Sequence, residues 1–237
     1  MPDRSYVMVD DANMAGYKTA KERLTFLFGG NASGAMKGKP FVIGRSENPR
    51  CFKNIQKDGL PVTYRSNKKA WMTKELFTDW FYNEFCPEVE RFCLLKNISF
   101  KILLLLDNAP GHPKVEELPH PNVKIHYLPA NTTSILQPMD MGVISTFKKL
   151  YLRNTFREAL LATDPINPKR ISLPEFWKGF NVLNCIEHAY RAWDSISEHT
   201  MKSMWKNIFI HRENEPGIKV IKNMLREKKK KKIKILF

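Results

Sequence analysis

Lys101-Ile-Leu-Leu-Leu-Leu-Asp107-Asn-Ala-Pro-Gly-His112 is an apolar run that ends on a carboxylate. Its aliphatic residues read as a buried strand, and the strand stops abruptly because Pro110 and Gly111 cannot continue it. Asp107 is thereby set at a strand's carboxyl end, where open α/β sheets gather their ligands. Downstream, Val123-Lys-Ile-His-Tyr-Leu128 reads as a second strand, and Thr132-Thr-Ser-Ile-Leu-Gln-Pro-Met-Asp140-Met-Gly is a polar loop that delivers another carboxylate into a helix start.

Two carboxylates so placed suit metal-dependent phosphodiester chemistry. Hydrolysis with two divalent cations about 3.5–4 Å apart needs several carboxylates converging on one spot, because hard Mg²⁺ takes oxygen ligands and keeps several waters. Asp107 and Asp140 are 33 positions apart, which is room for a loop, a second strand and a return to the first strand's end. Taken singly, Asp107 is accounted for by a turn shared with Asn108, and Asp140 by the first turn of a helix. The two motifs together favour the metal reading.

Both segments, and Asn131-Thr-Thr-Ser-Ile-Leu-Gln-Pro-Met-Asp140 most specifically, resemble the DDE-type transposase domain of the pogo/Tigger group, kin to centromere protein B and the jerky proteins. Further matching stretches are Met1-Pro-Asp-Arg-Ser-Tyr6, Lys21-Glu-Arg-Leu-Thr-Phe-Leu-Phe-Gly-Gly-Asn31, Lys68-Lys-Ala-Trp-Met-Thr73, Phe147-Lys-Lys-Leu-Tyr-Leu-Arg-Asn154 and Phe176-Trp-Lys-Gly-Phe180. The resemblance implies an α/β fold, a ribonuclease H-like mixed sheet with helices on it and a helical C-terminal part. It also implies Asp107 and Asp140 as catalytic metal ligands, Mg²⁺ or Mn²⁺ as cofactor, DNA as partner and the nucleus as location.

In the family a third carboxylate, the first of the triad, ends the first strand upstream of the Met-Pro-Asp-Arg-Ser-Tyr segment. This sequence begins at that segment, so the expectation is a domain truncated at its amino terminus and incomplete as a catalyst, active only if completed upstream or in trans. Ser5-Tyr-Val-Met-Val9 followed by Asp10-Asp11 could mimic a carboxylate-bearing strand, but no Asp-Glu-Thr/Ser follows; Asp3, Asp10 and Asp11 are read as loop or surface residues. Loss of a central strand is also expected to leave neighbouring backbone groups unpaired, with poor folding or self-association as the outcome.

With 237 residues, 43% of them hydrophobic, the chain can build one sizeable core. The expected divisions are residues 1–163 for the truncated domain, 164–215 for a helical extension and 216–237 for a basic tail. There is neither a signal peptide nor an apolar stretch long enough to span a bilayer, so no membrane association is expected. Cys51, Cys86, Cys93 and Cys185 form no Cys-x-x-Cys pair, which argues against structural zinc and for reduced thiols. Cys185 and His188 have ligand-like spacing but lie on a helical apolar pattern, so packing is expected there.

The formal charge is +15, of which residues 226–237 supply seven positive and one negative residue; +9 remains on the body. A basic body around an acidic pocket suits a polyanionic partner. The lysine run 228–232 reads as a nuclear-import or nonspecific nucleic-acid patch, unless it is a readthrough terminus.

Along the chain, 24–28 and 41–43 read as a hairpin whose glycine-rich connection lacks the Gly-Lys-Ser/Thr ending of a phosphate loop. Thr73 is positioned to cap a helix with Leu76, Phe77, Trp80, Phe81 and Phe85 on its core face, which Pro87 breaks or kinks. A helix is expected over 142–162, with Lys148, Lys149 and Arg153 facing DNA, and further helices over 172–210. His120 and His126 are expected to be packed or solvated; His112, next to the Asp107 turn, is a candidate for phosphate contact.

Overall fold

Apolar patterning sets the strands, and their burial sets where the polar residues end up. The computed structural model describes residues 23–129, 137–210 and 234–236, with 206–210 and 234–236 described as backbone. Several features singled out above lie outside the described residues: Met1 to Tyr6, Asp3, Asp10 and Asp11, positions 131–136 of the second motif, and the lysine run 228–232.

Strand β1 (Thr25–Leu27) pairs antiparallel with β2 (Phe41–Gly44), Thr25 opposite Ile43, which is the hairpin expected of these residues. The connection is turn chemistry: Gly30 bridges Lys37, and Asn31 Oδ1 accepts from the Met36 amide at 3.1 Å. Strand β3 (Thr63–Ser66) adds to β2 in parallel. Thr73 caps helix α1 (Lys74–Asp79), its hydroxyl accepting from the Leu76 amide at 3.4 Å.

The sequence places a break or kink at Pro87, and the structure absorbs it instead. A π-helical segment, Trp80–Phe85, joins α1 to α2 (Cys86–Leu95), and Pro87 falls in the first turn of α2. The helix runs on through it: Phe85 and Cys86 keep helical backbone angles, and the Cys86 amide donates to the Phe81 carbonyl five residues back. Phe77, Trp80, Phe81 and Phe85 are all buried, as a core stripe should be.

Strand β4 (Ile102–Leu106) is buried along its whole length and pairs in parallel with β5 (Val123–Tyr127), Leu106 opposite Tyr127. Its two faces serve two clusters. Ile102, Leu104 and Leu106 pack with Phe41, Phe77, Phe81 and Val89, whereas Leu103 and Leu105 pack with Phe147, Trp193 and Trp205. A strand covered on both faces must be apolar throughout, which is why the 102–106 run is continuous rather than alternating.

The helical half begins with a π-helical turn, Met139–Val143, followed by α3 (Ile144–Thr163). Three helices follow: α4 (Leu173–Gly179), capped by Ser172 and Glu175; α5 (Val182–Asp194), capped by Asn181; and α6 (Glu198–Ile210). Across α3 and α5, His188 Nε2 lies 2.7 Å from Glu158 Oε2 and the Tyr151 hydroxyl donates to Cys185 Sγ at 3.3 Å. Cys185 and His188 are therefore packing residues, and all four cysteines are free. Lys37 closes α5 from the hairpin connection, its ammonium donating to the carbonyls of Trp193 at 3.1 Å and Ile196 at 2.9 Å.

One element is absent from the sequence reading. Strand β6 (Lys234–Leu236) pairs in parallel with β4 on the edge away from β5, giving the order β5-β4-β6 next to the sheet β1-β2-β3. By composition residues 216–237 are a basic tail; the lysine excess masks the short β-prone run around Ile235. The class is mixed α/β, with parallel and antiparallel pairs and helices packed against small sheets. Among the described residues, no helix is long and apolar enough to cross a membrane.

Candidate metal and nucleic-acid site

The rigid part of the site is the end of β4. Because Leu103 to Leu106 are fixed on both faces, Asp107 leaves the sheet at a defined point, level with the Tyr127 end of β5. The chain then turns at once, the His112 amide donating to the Ala109 carbonyl at 3.0 Å. Gly111 permits this turn to lie against the backbone of Met72: a Cβ there would come within 2.7 Å of the Met72 carbonyl oxygen. Glycine at this position is thus a demand of close approach.

The turn swings His112 back over Asp107. Its Nδ1 is 3.1 Å from Asp107 Oδ1 and 3.0 Å from the Asp107 carbonyl oxygen. With two acceptors before it, Nδ1 carries the proton, leaving Nε2 to accept in the neutral ring. The imidazole is held by Phe77, ring centroids 4.6 Å apart, and by Tyr127 at 6.2 Å. The hydrogen bond from His112 holds the Asp107 carboxyl below the usual Asp value, against the opposing effect of burial. His112, the candidate for phosphate contact, holds Asp107 through Nδ1 and keeps Nε2 available.

Tyr127 and Phe77 were given no site role by the sequence. The Tyr127 hydroxyl donates to the Pro113 carbonyl at 2.5 Å, and burial, with Asp107 and Glu117 nearby, pushes its pKa up to about 12. The available signal was register: a parallel neighbour's last residue has to lie beside the residue that ends β4.

Asp140 arrives differently. It lies in the π-helical turn Met139–Val143, its amide donating to the Gln137 carbonyl at 3.0 Å. Partial burial raises its carboxyl above the usual Asp value, the negative charge of Asp107 raises it further, and Lys148 opposes both. Asp107 and Lys148 are thus both close enough to act on the Asp140 carboxyl. Lys149 and Arg153 are exposed on α3, and neither appears among the influences on the two aspartates.

Two carboxylates fit a divalent cation that completes its shell with water and phosphate oxygens, the usual habit of Mg²⁺. Among the described residues, no group of three or more His, Cys, Asp or Glu side chains is arranged to hold a metal ion. A third protein carboxylate is therefore not supplied by the described residues.

Residues 21–205 match the family model described as DDE superfamily endonuclease. The chain is 33% identical over 224 residues to Tigger transposable element-derived protein 7 of Homo sapiens, covering 91% of this chain and 41% of that protein. It is 32% identical over 206 residues to the Jerky protein of Mus musculus, covering 84% and 33% respectively, and 34% identical over 196 residues to the Jerky protein homolog of Homo sapiens, covering 82% and 32%. The chain therefore spans about a third to two-fifths of the length of the curated relatives it matches. No solved structure matches it.

Proposed function

The chain belongs to the DDE superfamily endonuclease family, and from that membership we propose that it is a transposase-derived, DNA-binding nuclease domain in which Asp107 and Asp140 are two carboxylates of a three-carboxylate metal site. The observation that carries this reading is the pairing of roles around β4. Asp107 is fixed by a wholly buried strand and oriented by His112, and Asp140 is near enough for the Asp107 charge to raise its pKa. The ribonuclease H-like reading is supported by β4 and β5 in parallel, the carboxylate at the end of β4, and the antiparallel pair β1 and β2.

Members of this family generally depend on divalent metal. A bound Mg²⁺ or Mn²⁺ would supply charge stabilisation for an attacking and a leaving oxygen on phosphorus. The chain's own residues do the positioning: Asp107 and Asp140 would hold the cation, His112 keeps the Asp107 carboxylate aimed and ionised, and neutral Tyr127 adds no further negative charge. Lys148, Lys149 and Arg153 on α3 supply phosphate contacts, and the basic body attracts DNA in a salt-dependent manner with little sequence selectivity. A nuclear location is part of the same reading.

On this reading the domain by itself binds DNA and metal but does not cut. The test is an assay of the 237-residue chain on supercoiled DNA. DNA binding without Mg²⁺-dependent nicking above an Asp107→Ala control is the expected result. Nicking that needs Mg²⁺ and disappears in Asp107→Ala would overturn that reading and favour the alternative, an active Mg²⁺-dependent transposase endonuclease, which otherwise requires completion of the site upstream or in trans.

A further inference from the structure

Of the five tryptophans, Trp80, Trp193 and Trp205 are buried, Trp177 is half-buried and Trp71 is 55% exposed. A single exposed apolar side chain needs no explanation by itself; the backbone that carries this one is more particular. Asn67 Oδ1 accepts from the amides of Lys69 and Trp71, each at 3.1 Å, and Asn67 Nδ2 donates to the Trp71 carbonyl. Ala70 is fully buried and held at a φ of 50°, a conformation rare for a residue with a Cβ. Its carbonyl accepts from the Thr25 hydroxyl at 2.7 Å. Such a conformation persists only where the surroundings fix it. Residues 67–71 therefore hold the Trp71 backbone firmly while its side chain stands in water.

The same loop touches the carboxylate site. Met72 lies against Gly111 in the turn after Asp107, and Thr73 caps α1, whose Phe77 packs on the His112 ring. Trp71 is thus one residue from the contact that shapes the Asp107 turn. The charge around it is positive: Arg23 Cζ lies 5.4 Å from the centre of the Trp71 ring, and Lys68 and Lys69 are exposed on the loop. Of the acids that follow in α1, Glu75 is exposed and Asp79 pairs with Arg65 at 2.7 Å. An aromatic face among cations suits a nucleotide, the ring stacking on the base and the cations meeting phosphates. Within a duplex the base faces are already stacked on their neighbours, so such a ring selects an unpaired base.

We propose that Trp71 is a stacking platform for an unpaired nucleobase of the DNA strand that passes the Asp107 site, with Arg23, Lys68 and Lys69 on the adjoining phosphates. This rests on the nuclease-domain reading and deepens it, because it assigns the substrate class: DNA with unpaired bases beside the phosphate at the carboxylates, in preference to uniformly paired duplex.

The full chain is tested on two DNAs carrying the fluorescent base 2-aminopurine: a duplex with a single-stranded tail that holds the probe, and the same duplex with the tail fully paired. Wild type should bind the tailed DNA more tightly and quench its 2-aminopurine. Trp71→Ala should weaken binding to the tailed DNA roughly 5- to 100-fold and abolish the quenching, while binding to the paired duplex stays within about twofold. Trp71→Leu, apolar but without a π-face, should behave like Trp71→Ala, and Trp71→Phe should keep most of the affinity and the quenching. Because the side chain is exposed, thermal melts should be unchanged, and the contrast between the leucine and phenylalanine variants decides the matter if the alanine variant melts early. Quenching that survives in Trp71→Leu, unchanged affinity for the tailed DNA, or equal loss of affinity for both DNAs overturns the proposal and leaves the nuclease-domain reading standing. Binding of wild type to neither DNA overturns both.

Discussion

Asp107 and Asp140 are the same residue type in one electrostatic neighbourhood, and their surroundings push them in opposite directions. Asp107 ends a strand buried on both faces and accepts from His112, which stabilises its ionised form. Asp140 lies in a π-helical turn, where partial burial and the charge of Asp107 disfavour ionisation. The lesson is a division of labour. One carboxylate is anchored and held in its charged form by His112, and the other is pushed toward its neutral form first by burial and then by the charge of Asp107.

The severest way to break this asymmetry is to loosen the strand rather than the site. Leu104 is completely buried, and Leu104→Ala should cost about 2–5 kcal/mol through lost burial and a residual cavity. The urea midpoint of the purified variant checks this; a loss under about 1 kcal/mol would mean that β4 is not the anchor.

Next in size is Asp107→Asn, which removes the charged acceptor of the His112 bond. A charge-assisted hydrogen bond contributes about 1.5–3 kcal/mol, and the loss belongs at the low end because the carboxylate is 27% exposed. The sign with pH follows from the lowered folded pKa of Asp107. Its stabilisation is present above the unfolded Asp value and lost as pH falls through the folded one, so wild type and variant should converge in stability on acidification. Asp140, relieved of its neighbour's charge, should titrate at lower pH in Asp107→Asn. Carboxyl carbon chemical shifts followed through a pH titration read that directly, and an unmoved Asp140 would separate the two residues.

Asp140→Asn should act in the opposite direction. A carboxyl whose folded pKa is raised costs stability as pH rises through the interval between its unfolded and folded values. Replacing it should therefore leave stability at neutral pH unchanged or raise it by a few tenths of a kcal/mol, since the group is largely solvent-screened. Thermal melts of the two variants side by side, one down and one level or up, are the sharpest form of the comparison.

The anchored half of the site was the legible half. A continuous aliphatic run, Pro110 and Gly111 specify strand, stop and carboxylate by local rules alone, and Thr73 announced its cap in the same way. What the sequence did not disclose depends on contacts between distant residues. His112 finds Asp107 only because Gly111 can lie against Met72, and Tyr127 joins them through strand register. The two π-helical segments have no propensity signature, and Trp80–Phe85 carries the helix into Pro87, where a break was the local expectation. Strand β6 escaped notice because a strand of three residues beside a lysine run has little periodicity to read.

The smallest effect expected is the most selective. Lys148 lowers the Asp140 pKa and Lys149, one residue on, has no such influence. Both lysines are exposed, so Lys148→Ala and Lys149→Ala should each change stability by no more than about 0.5 kcal/mol. Only Lys148→Ala should move the Asp140 titration, and upward, because the opposing positive charge is gone. Both should weaken DNA binding and lower its salt dependence by about one counterion each. A shift of Asp140 in both variants would show a diffuse field of the α3 helix, whereas a shift in Lys148→Ala alone ties that one cation to the Asp140 carboxylate.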